Sequence, residues 1–544
     1  MKVQFSRKIF LVLLVLSIPA FSTLLRRGYF PMHDDIQGMR LYEMGKCFFD
    51  GQIPCRWVPD MGLGYGYPQF NYYAPLPYYL VVPFVLLGAS VLETIKLSFI
   101  VSAIGSSVGM YLLGSYFWGK RGGVLSSLFY VYAPYRALNM YVRGALGELW
   151  GMMFLPFVFY FALKVMERKK YILPLSLSVA GLLLSHNITT IVVLPFFVVF
   201  VLFSKKFRLR NFVNLGLAGF WGLGLSAFFV LPAFFEKQYV HVETILQGYF
   251  NYLAHFLSLN QVFLSTFWGY GVSLLGPLDG MSFAVGILHW TIPILTILIL
   301  VYLKKIKKAK EVALFFILAL LALFLTHNKS VFIWDSIPFL AYVQFPWRFL
   351  AIGTFFLALC AGALVYALPN TRNKRNILIL SMFLVLILFY GSFFKPQRWI
   401  DISDAEKFSG ESWTQQQTIS IFDYLPIYAN YPPSSRALSQ PEILSVGGEV
   451  SGQKGTNWQD WKVNLDGNGH IRLQQFDFPG WEVRVDGEIV SIDNDNEFGL
   501  ITISVPAGEH EVKARLRDTN LRRFANLFSA SSLVLIPVFY KKFR

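Results

Sequence analysis

The chain has 544 residues, 55% of them hydrophobic, 17% aromatic and only 15% charged. That balance excludes an ordinary soluble domain and marks an integral membrane protein. The formal net charge of +16 does not indicate a nucleic-acid partner, because the basic residues fall in short clusters between apolar runs rather than along one arm or helix face.

Seven clusters, at 2–8, 118–123, 167–171, 204–210, 304–310, 370–375 and 541–544, are expected on the cytoplasmic side of a plasma membrane by the positive-inside rule. A crossing needs about 20 apolar residues. Candidate spans lie at 8–25, 95–118, 121–138, 147–166, 171–187, 188–204, 212–232, 281–303, 311–326, 348–368, 376–394 and 524–540. With both termini cytoplasmic, about twelve crossings put all seven clusters inside, provided that the apolar stretch 76–92 does not cross. Pro77 and Pro83 interrupt its helical ladder, so it is expected as a re-entrant or interfacial helix. The first run reads as an uncleaved anchor, with a cleaved signal peptide as the alternative. Either way residue 31 onward lies outside. Cys47 and Cys55 share that first outer loop, 26–94. A disulfide is permitted there in an oxidising compartment, and two free thiols are equally compatible with the spacing. Cys360 lies within a span and reads as packing.

Composition changes after residue 394. Residues 461–493 and 500–518 alternate apolar and polar with turn signals between, which predicts a small β-sandwich-like domain. Residues 396–440 are expected as an irregular linker. Trp458 and Trp481 read either as small-domain core or as surfaces for sugars. The expected division is therefore a multi-span membrane domain 1–394, an extracytoplasmic linker and β domain 395–523, and a final span with a basic tail at 524–544.

On this topology the non-basic polar motifs collect on the outer face, against span ends. An ionisable group at membrane depth costs roughly 2.5–3.5 kcal/mol on insertion scales and tends to be functional or paired. Asp34 and Asp35 follow the first span closely; they are candidates for a general base or for ligands of a divalent cation, Mg or Mn. His33 precedes them. The stretch 62–80 is dense in glycine and tyrosine, which suits close backbone approach to a ligand with Tyr67 and Tyr72 as stacking surfaces. Arg143 and Arg348 stand at span starts, where guanidinium groups can fork onto phosphate. Glu148 is a second acid beside Arg143, His186 caps or binds at another span end, and Gln344 lies just before Arg348.

Taken together, "HDD" (33–35), "GYGYPQFNYYAPLPYYL" (64–80), "RGALGE" (143–148), "LLLSHNITT" (182–190) and "QFPWRFLA" (344–351) resemble the membrane family labelled 6-pyruvoyl-tetrahydropterin synthase-related. That family is similar to the GT-C fold of membrane glycosyltransferases, and "FPGWEVRVDGEIV" (478–490) is similar to the outer β domain of related proteins. The resemblance implies a GT-C-type, inverting hexosyl- or pentosyltransferase. It would move a sugar from a polyprenyl-phosphate carrier to a glycan, lipid or protein acceptor on the outer face, in cell-envelope glycan or glycolipid synthesis. It implies Asp34 or Asp35 as base or metal ligand, with Arg143 and Arg348 on the leaving phosphate. A transporter or flippase for lipid-linked sugars, or a non-catalytic glycan-binding assembly protein, would use similar groups. A transporter is expected to show internal repeats and broken helices near the midplane, and no repeat is visible in the sequence.

Overall fold

Each long apolar run folds as helix in the computed structural model, which describes residues 6–204, 208–276, 279–369 and 371–543. Residues 2–5, 205–207, 370 and 544 of the basic clusters lie outside the described residues. Six described helices are long and apolar enough to cross a membrane: Arg7–Leu25, Val91–Val131, Leu146–Glu167, Asn211–Phe235, Pro346–Tyr366 and Arg372–Phe393. Val91–Val131 accounts for two expected spans, because Gly119, at φ 74° and ψ 173°, breaks it. A left-handed backbone turn of that kind suits glycine, which has no Cβ to clash.

Of the other expected spans, 311–326 and 524–540 lie in the long helices Ile306–Phe324 and Asn520–Phe543, while three are helical but shorter: Ile172–Leu183, Asn187–Leu202 and Ile287–Tyr302. Ile172–Leu183 has 12 residues, a rise of about 18 Å at 1.5 Å per residue, against a hydrocarbon core of about 30 Å. It stops because Ser185 and His186 turn the chain into the next helix, Asn187–Leu202, whose Thr189 N–H donates to His186 Nδ1 at 3.1 Å. The expected span 281–303 starts only at Ile287, after the loop strand around Met281 that bridges Tyr270. The expected span 121–138 ends at Val131. Beyond it come a short helix, Pro134–Ala137, and a π-turn, Leu138–Arg143. The stretch 76–92 is broken into Leu76–Tyr79 and Val82–Leu86, each about one turn long and far short of a crossing.

The bundle centre is the helix Leu350–Ala361, every residue of which is buried, packed against Val91–Val131 and Ile306–Phe324. Aromatic edge contacts fill the spaces between, as where Phe159 meets Phe355 at 4.8 Å and Phe200 at 4.8 Å.

The C-terminal strands form a two-sheet sandwich. One sheet has the order β1-β4-β7, with β1 Glu442–Leu444, β4 Gly469–Phe476 and β7 Leu500–Val505. The other has the order β2-β3-β8-β5-β6, with β2 Gly448–Lys454, β3 Trp458–Leu465, β8 Gly508–Leu516, β5 Trp481–Val485 and β6 Glu488–Val490. All pairings are antiparallel. Ile471, Leu473, Ile501 and Ile503 of one sheet and Trp461, Val463, Val483 and Val512 of the other share one buried core, as the period-two pattern requires.

Residues 396–440 are not a free linker. Two short helices, Asp404–Lys407 and Gly410–Thr418, lie as a strap across the segment 26–94. The Asp404 carboxylate accepts from the N–H groups of Val91 and Leu92 at 2.6 and 3.0 Å, capping the long helix at its positive end. Cys47 and Cys55 are joined in a disulfide, and the loop they close meets the sandwich where Asp50 accepts from Trp458 Nε1 at 2.7 Å.

Candidate functional site

The acid pair is placed by backbone. His33 N–H donates to Val142 O at 3.0 Å and Asp34 N–H to Arg143 O at 2.8 Å, and the Gln37 side chain donates to Gly144 O at 2.9 Å. These bonds zip 33–37 along the 142–144 turn. Gly144 ends that turn in the left-handed region, at φ 70°, which lets the chain reverse into Leu146–Glu167. Asp34 and Arg143 are thereby held side by side although 109 positions separate them in the sequence.

Arg143 is 7% exposed and Glu148 is 2% exposed. Arg143 Nη1 donates to Glu148 Oε2 at 2.7 Å and to Asn139 Oδ1, and its guanidinium lies 4.3 Å from the Trp347 ring centre. The other Glu148 oxygen accepts from the Tyr135 hydroxyl. Both carboxylate oxygens are therefore engaged. Arg348 donates through Nη1 to Val343 O at 2.7 Å and to Gln344 Oε1 at 2.9 Å, while its buried Nε has no partner. Gln344 holds this arrangement from a strained backbone, at φ 64°, and donates to Ile245 O at 2.8 Å. His186 Nδ1 is engaged with Thr189, and its ring lies within electrostatic range of Glu148, Arg143 and Arg348.

The two aspartates differ sharply. Asp34 is exposed and within electrostatic range of Arg40, Arg143 and Arg348. Asp35 is half-buried and accepts from Lys407 Nζ of the strap at 2.8 Å. Burial pushes its carboxyl up, and Lys407 opposes that rise.

Three residues join this cluster that no local pattern marked. Arg40, 3% exposed, lies 3.7 Å from the Tyr73 ring centre and keeps a buried Nε without a partner. Burial alone would push its guanidinium down, but Tyr73, Tyr78 and Asp34 outweigh that and raise it. From the strap come Asp423, whose carboxyl is pushed up to about 6 by burial against the pull of Arg40, and Tyr424, within range of Asp423, Arg40 and Arg348.

Tyr67 and Tyr72 take structural positions. Tyr67 is fully buried; its hydroxyl donates to Ser420 O at 2.8 Å and accepts from Tyr424 N–H at 2.6 Å. Tyr72 donates to Glu236 O at 2.7 Å and stacks on Tyr424 at 5.3 Å. The glycine just before Tyr67 serves packing: a Cβ on Gly66 would stand 2.4 Å from both Trp57 Nε1 and Gln475 Nε2. His33, exposed, engages Tyr270 O through Nε2 at 2.9 Å and fastens the loop 233–276 to the acid pair. Trp481 is buried in the sandwich core, and Trp458 is engaged with Asp50.

The donor set does not suit a divalent cation. Asp35 is neutralised by Lys407, Asp34 faces three guanidinium groups, and among the described residues no three His, Cys, Asp or Glu side chains converge. A separate cavity of about 610 Å³ is lined by Phe256, Gln261, Asp279 and His327 among others. Its wall residue Phe283 stacks on Trp347 at 5.1 Å, which divides it from Arg143.

Comparison with known proteins places the chain as follows. It is 28% identical over 196 residues to an uncharacterized protein of Lactococcus lactis subsp. cremoris, covering 34% of this chain and 32% of that protein. Among solved structures it is similar to the mycobacterial arabinofuranosyltransferase AftD, at TM-score 0.46 and 15% identity over 74% of this chain and 28% of that one. It is also similar to the Archaeoglobus fulgidus oligosaccharyltransferase, at TM-score 0.42 and 13% identity over 79% and 59% of the two chains. A third likeness is to ArnT of Cupriavidus metallidurans, solved with undecaprenyl phosphate, at TM-score 0.36 and 13% identity over 69% and 64%. The chain thus spans about a third of its Lactococcus relative and just over a quarter of AftD. Residues 70–397, more than half of the chain, match the 6-pyruvoyl-tetrahydropterin synthase related domain of membrane proteins, and the chain belongs to that family.

Proposed function

We propose that the protein is a membrane glycosyltransferase that moves a sugar from a polyprenyl-phosphate carrier to a hydroxyl acceptor at the outer face, with both termini cytoplasmic. The observation that carries the reading is one exposed carboxylate, Asp34, amid Arg40, Arg143 and Arg348, two of which keep an unused buried Nε–H. A base beside unspent guanidinium donors is what displacement of a phosphate by a hydroxyl needs.

In this mechanism Asp34 takes the proton of the acceptor hydroxyl as its oxygen attacks the anomeric carbon. The carbon–oxygen bond to the carrier breaks, and the electron pair leaves on the phosphate. Arg40 and Arg348 meet that growing charge with their free Nε–H groups, and Arg143 adds its field. A single displacement inverts the anomeric centre. Glu148, with both oxygens occupied, positions Arg143 rather than exchanging protons. Asp35 and Lys407 fasten the strap that brings Asp423 and Tyr424 over the centre. The guanidinium groups supply the positive charge that the leaving phosphate meets.

The test is transfer from a panel of radiolabelled polyprenyl-phosphate sugars to acceptors supplied as a membrane extract, using purified protein in proteoliposomes. Release of carrier phosphate in step with labelled product, lost in Asp34→Asn, supports the reading. Movement of intact carrier-linked sugar across the bilayer without cleavage would replace it with transport.

A further inference from the structure

Away from the acid pair, the sandwich, the disulfide-closed loop and the start of the last helix enclose a cavity of about 230 Å³. Three guanidinium groups line it, those of Arg56, Arg517 and Arg522. Arg56 is 5% exposed and Arg522 is 1% exposed. Arg56 donates to Asn71 Oδ1 at 3.3 Å and to Asn526 Oδ1 at 2.9 Å; its Nε lies 3.6 Å from Asp518 Oδ1 and makes no hydrogen bond. Arg522 donates to Glu236 Oε2 at 2.8 Å and to Pro479 O at 2.9 Å, and its buried Nη2 has no partner. Arg517 is exposed at the rim.

Two carboxylates face these three cations, and both are already committed. Glu236 accepts from Asn71, Thr519 and Arg522, and Asp518 accepts from Asn526 at 2.8 Å. Three guanidinium groups thus meet two carboxylates, and two buried donors, Arg56 Nε and Arg522 Nη2, have no partner, a costly state that an anion relieves. Burial pushes Arg56 down to about 10, against the opposing pull of Asp518. Asn520 begins the final apolar helix, so on the topology proposed above the cavity lies at headgroup level, where phosphate is abundant.

We infer that this cavity is a phosphate-binding site, taking a phospholipid headgroup or a free phosphate group between Arg56, Arg517 and Arg522. It is independent of the proposed transfer reaction and would hold the sandwich against the membrane surface. A bound anion stabilises the folded chain by mass action.

The test is thermal unfolding of the full chain in a neutral detergent at fixed ionic strength, with inorganic phosphate or with micelles containing phosphatidylglycerol. The wild-type midpoint is expected to rise with at least one probe. Arg517→Gln, at the exposed rim and outside the buried ion pair, is expected to lose most of that shift, whereas Lys462→Gln on the sandwich surface keeps it. A response to inorganic phosphate assigns a free anion, and a response to phosphatidylglycerol alone assigns a headgroup. The inference is overturned if neither probe shifts the wild type, if Arg517→Gln responds fully, or if Lys462→Gln loses as much.

Discussion

Lys407 Nζ lies 2.8 Å from Asp35 Oδ2, while the adjacent Asp34 is exposed among guanidinium groups. One peptide bond separates a fastening carboxylate from the proposed reactive one. Asp34→Asn should lower transfer by about 10²–10⁴, the range for loss of a general base, with the unfolding midpoint unchanged. Asp35→Ala and Lys407→Ala should each lower stability, and the double variant should cost less than their sum, with a coupling of about 0.5–3 kcal/mol. Equal transfer in wild type and Asp34→Asn would refute the assignment.

Gly144 offers a local test of the turn that joins the acids to Arg143. Its φ of 70° disfavours any side chain, and an added Cβ would fall 2.1 Å from Met32 Sδ. Gly144→Ala should cost about 1–2 kcal/mol from the backbone conformation, plus the Met32 overlap. Adding Met32→Ala should recover the overlap but not the backbone part. Chemical denaturation of Gly144→Ala, Met32→Ala and the double variant measures both contributions.

Asp423 predicts a pH dependence. Its folded-state carboxyl stands at about 6 against an ordinary 3.8, raised by burial. The folded chain therefore binds the proton more tightly than the unfolded one, and the associated stability is present below about pH 4 and lost as pH rises through about 6. Asp423→Asn should remove that loss, leaving the variant less sensitive to pH between 4 and 7. A steeper fall in the variant than in wild type would reverse the sign and refute the cause.

The ion pair Glu236–Arg522, 3% and 1% exposed at its side chains, ties the last helix to the end of Leu209–Phe235. Glu236→Gln should destabilise by about 3–5 kcal/mol, because it strands a buried guanidinium. Replacing both by Leu and Met should recover part of that cost. If Glu236→Gln unfolds at the wild-type temperature, the pair holds nothing together.

Local chemistry made the repeating parts legible. Apolar runs marked the helices, and the alternation in 461–493 marked the sandwich, because each pattern answers a burial geometry of fixed period. Span ends were less legible: Gly119 and the short Ile172–Leu183 depend on backbone conformation and neighbouring caps. Arg143, Glu148, His186 and Arg348 were legible as candidates by position, and the structure gathers them into one cluster with Asp34. Arg40 and Asp423 were not, since an arginine in an amphipathic helix and an aspartate in a polar stretch look like solvated surface until distant chain covers them. The glycines of 62–66 signalled close approach correctly, but the approaching groups are Trp57 and Gln475 of the protein itself.

The strap has a consequence for biogenesis. The partner of Asp35 lies 372 positions further along the chain, and Asp423 and Tyr424 come later still. A nascent chain that has already inserted the segments bearing Arg143, Glu148 and Arg348 carries the proposed reactive acid but not its cover. Assembly of the proposed centre is thus timed to the emergence of the segment after Arg372–Phe393, and a chain stalled before it should be inserted yet inert.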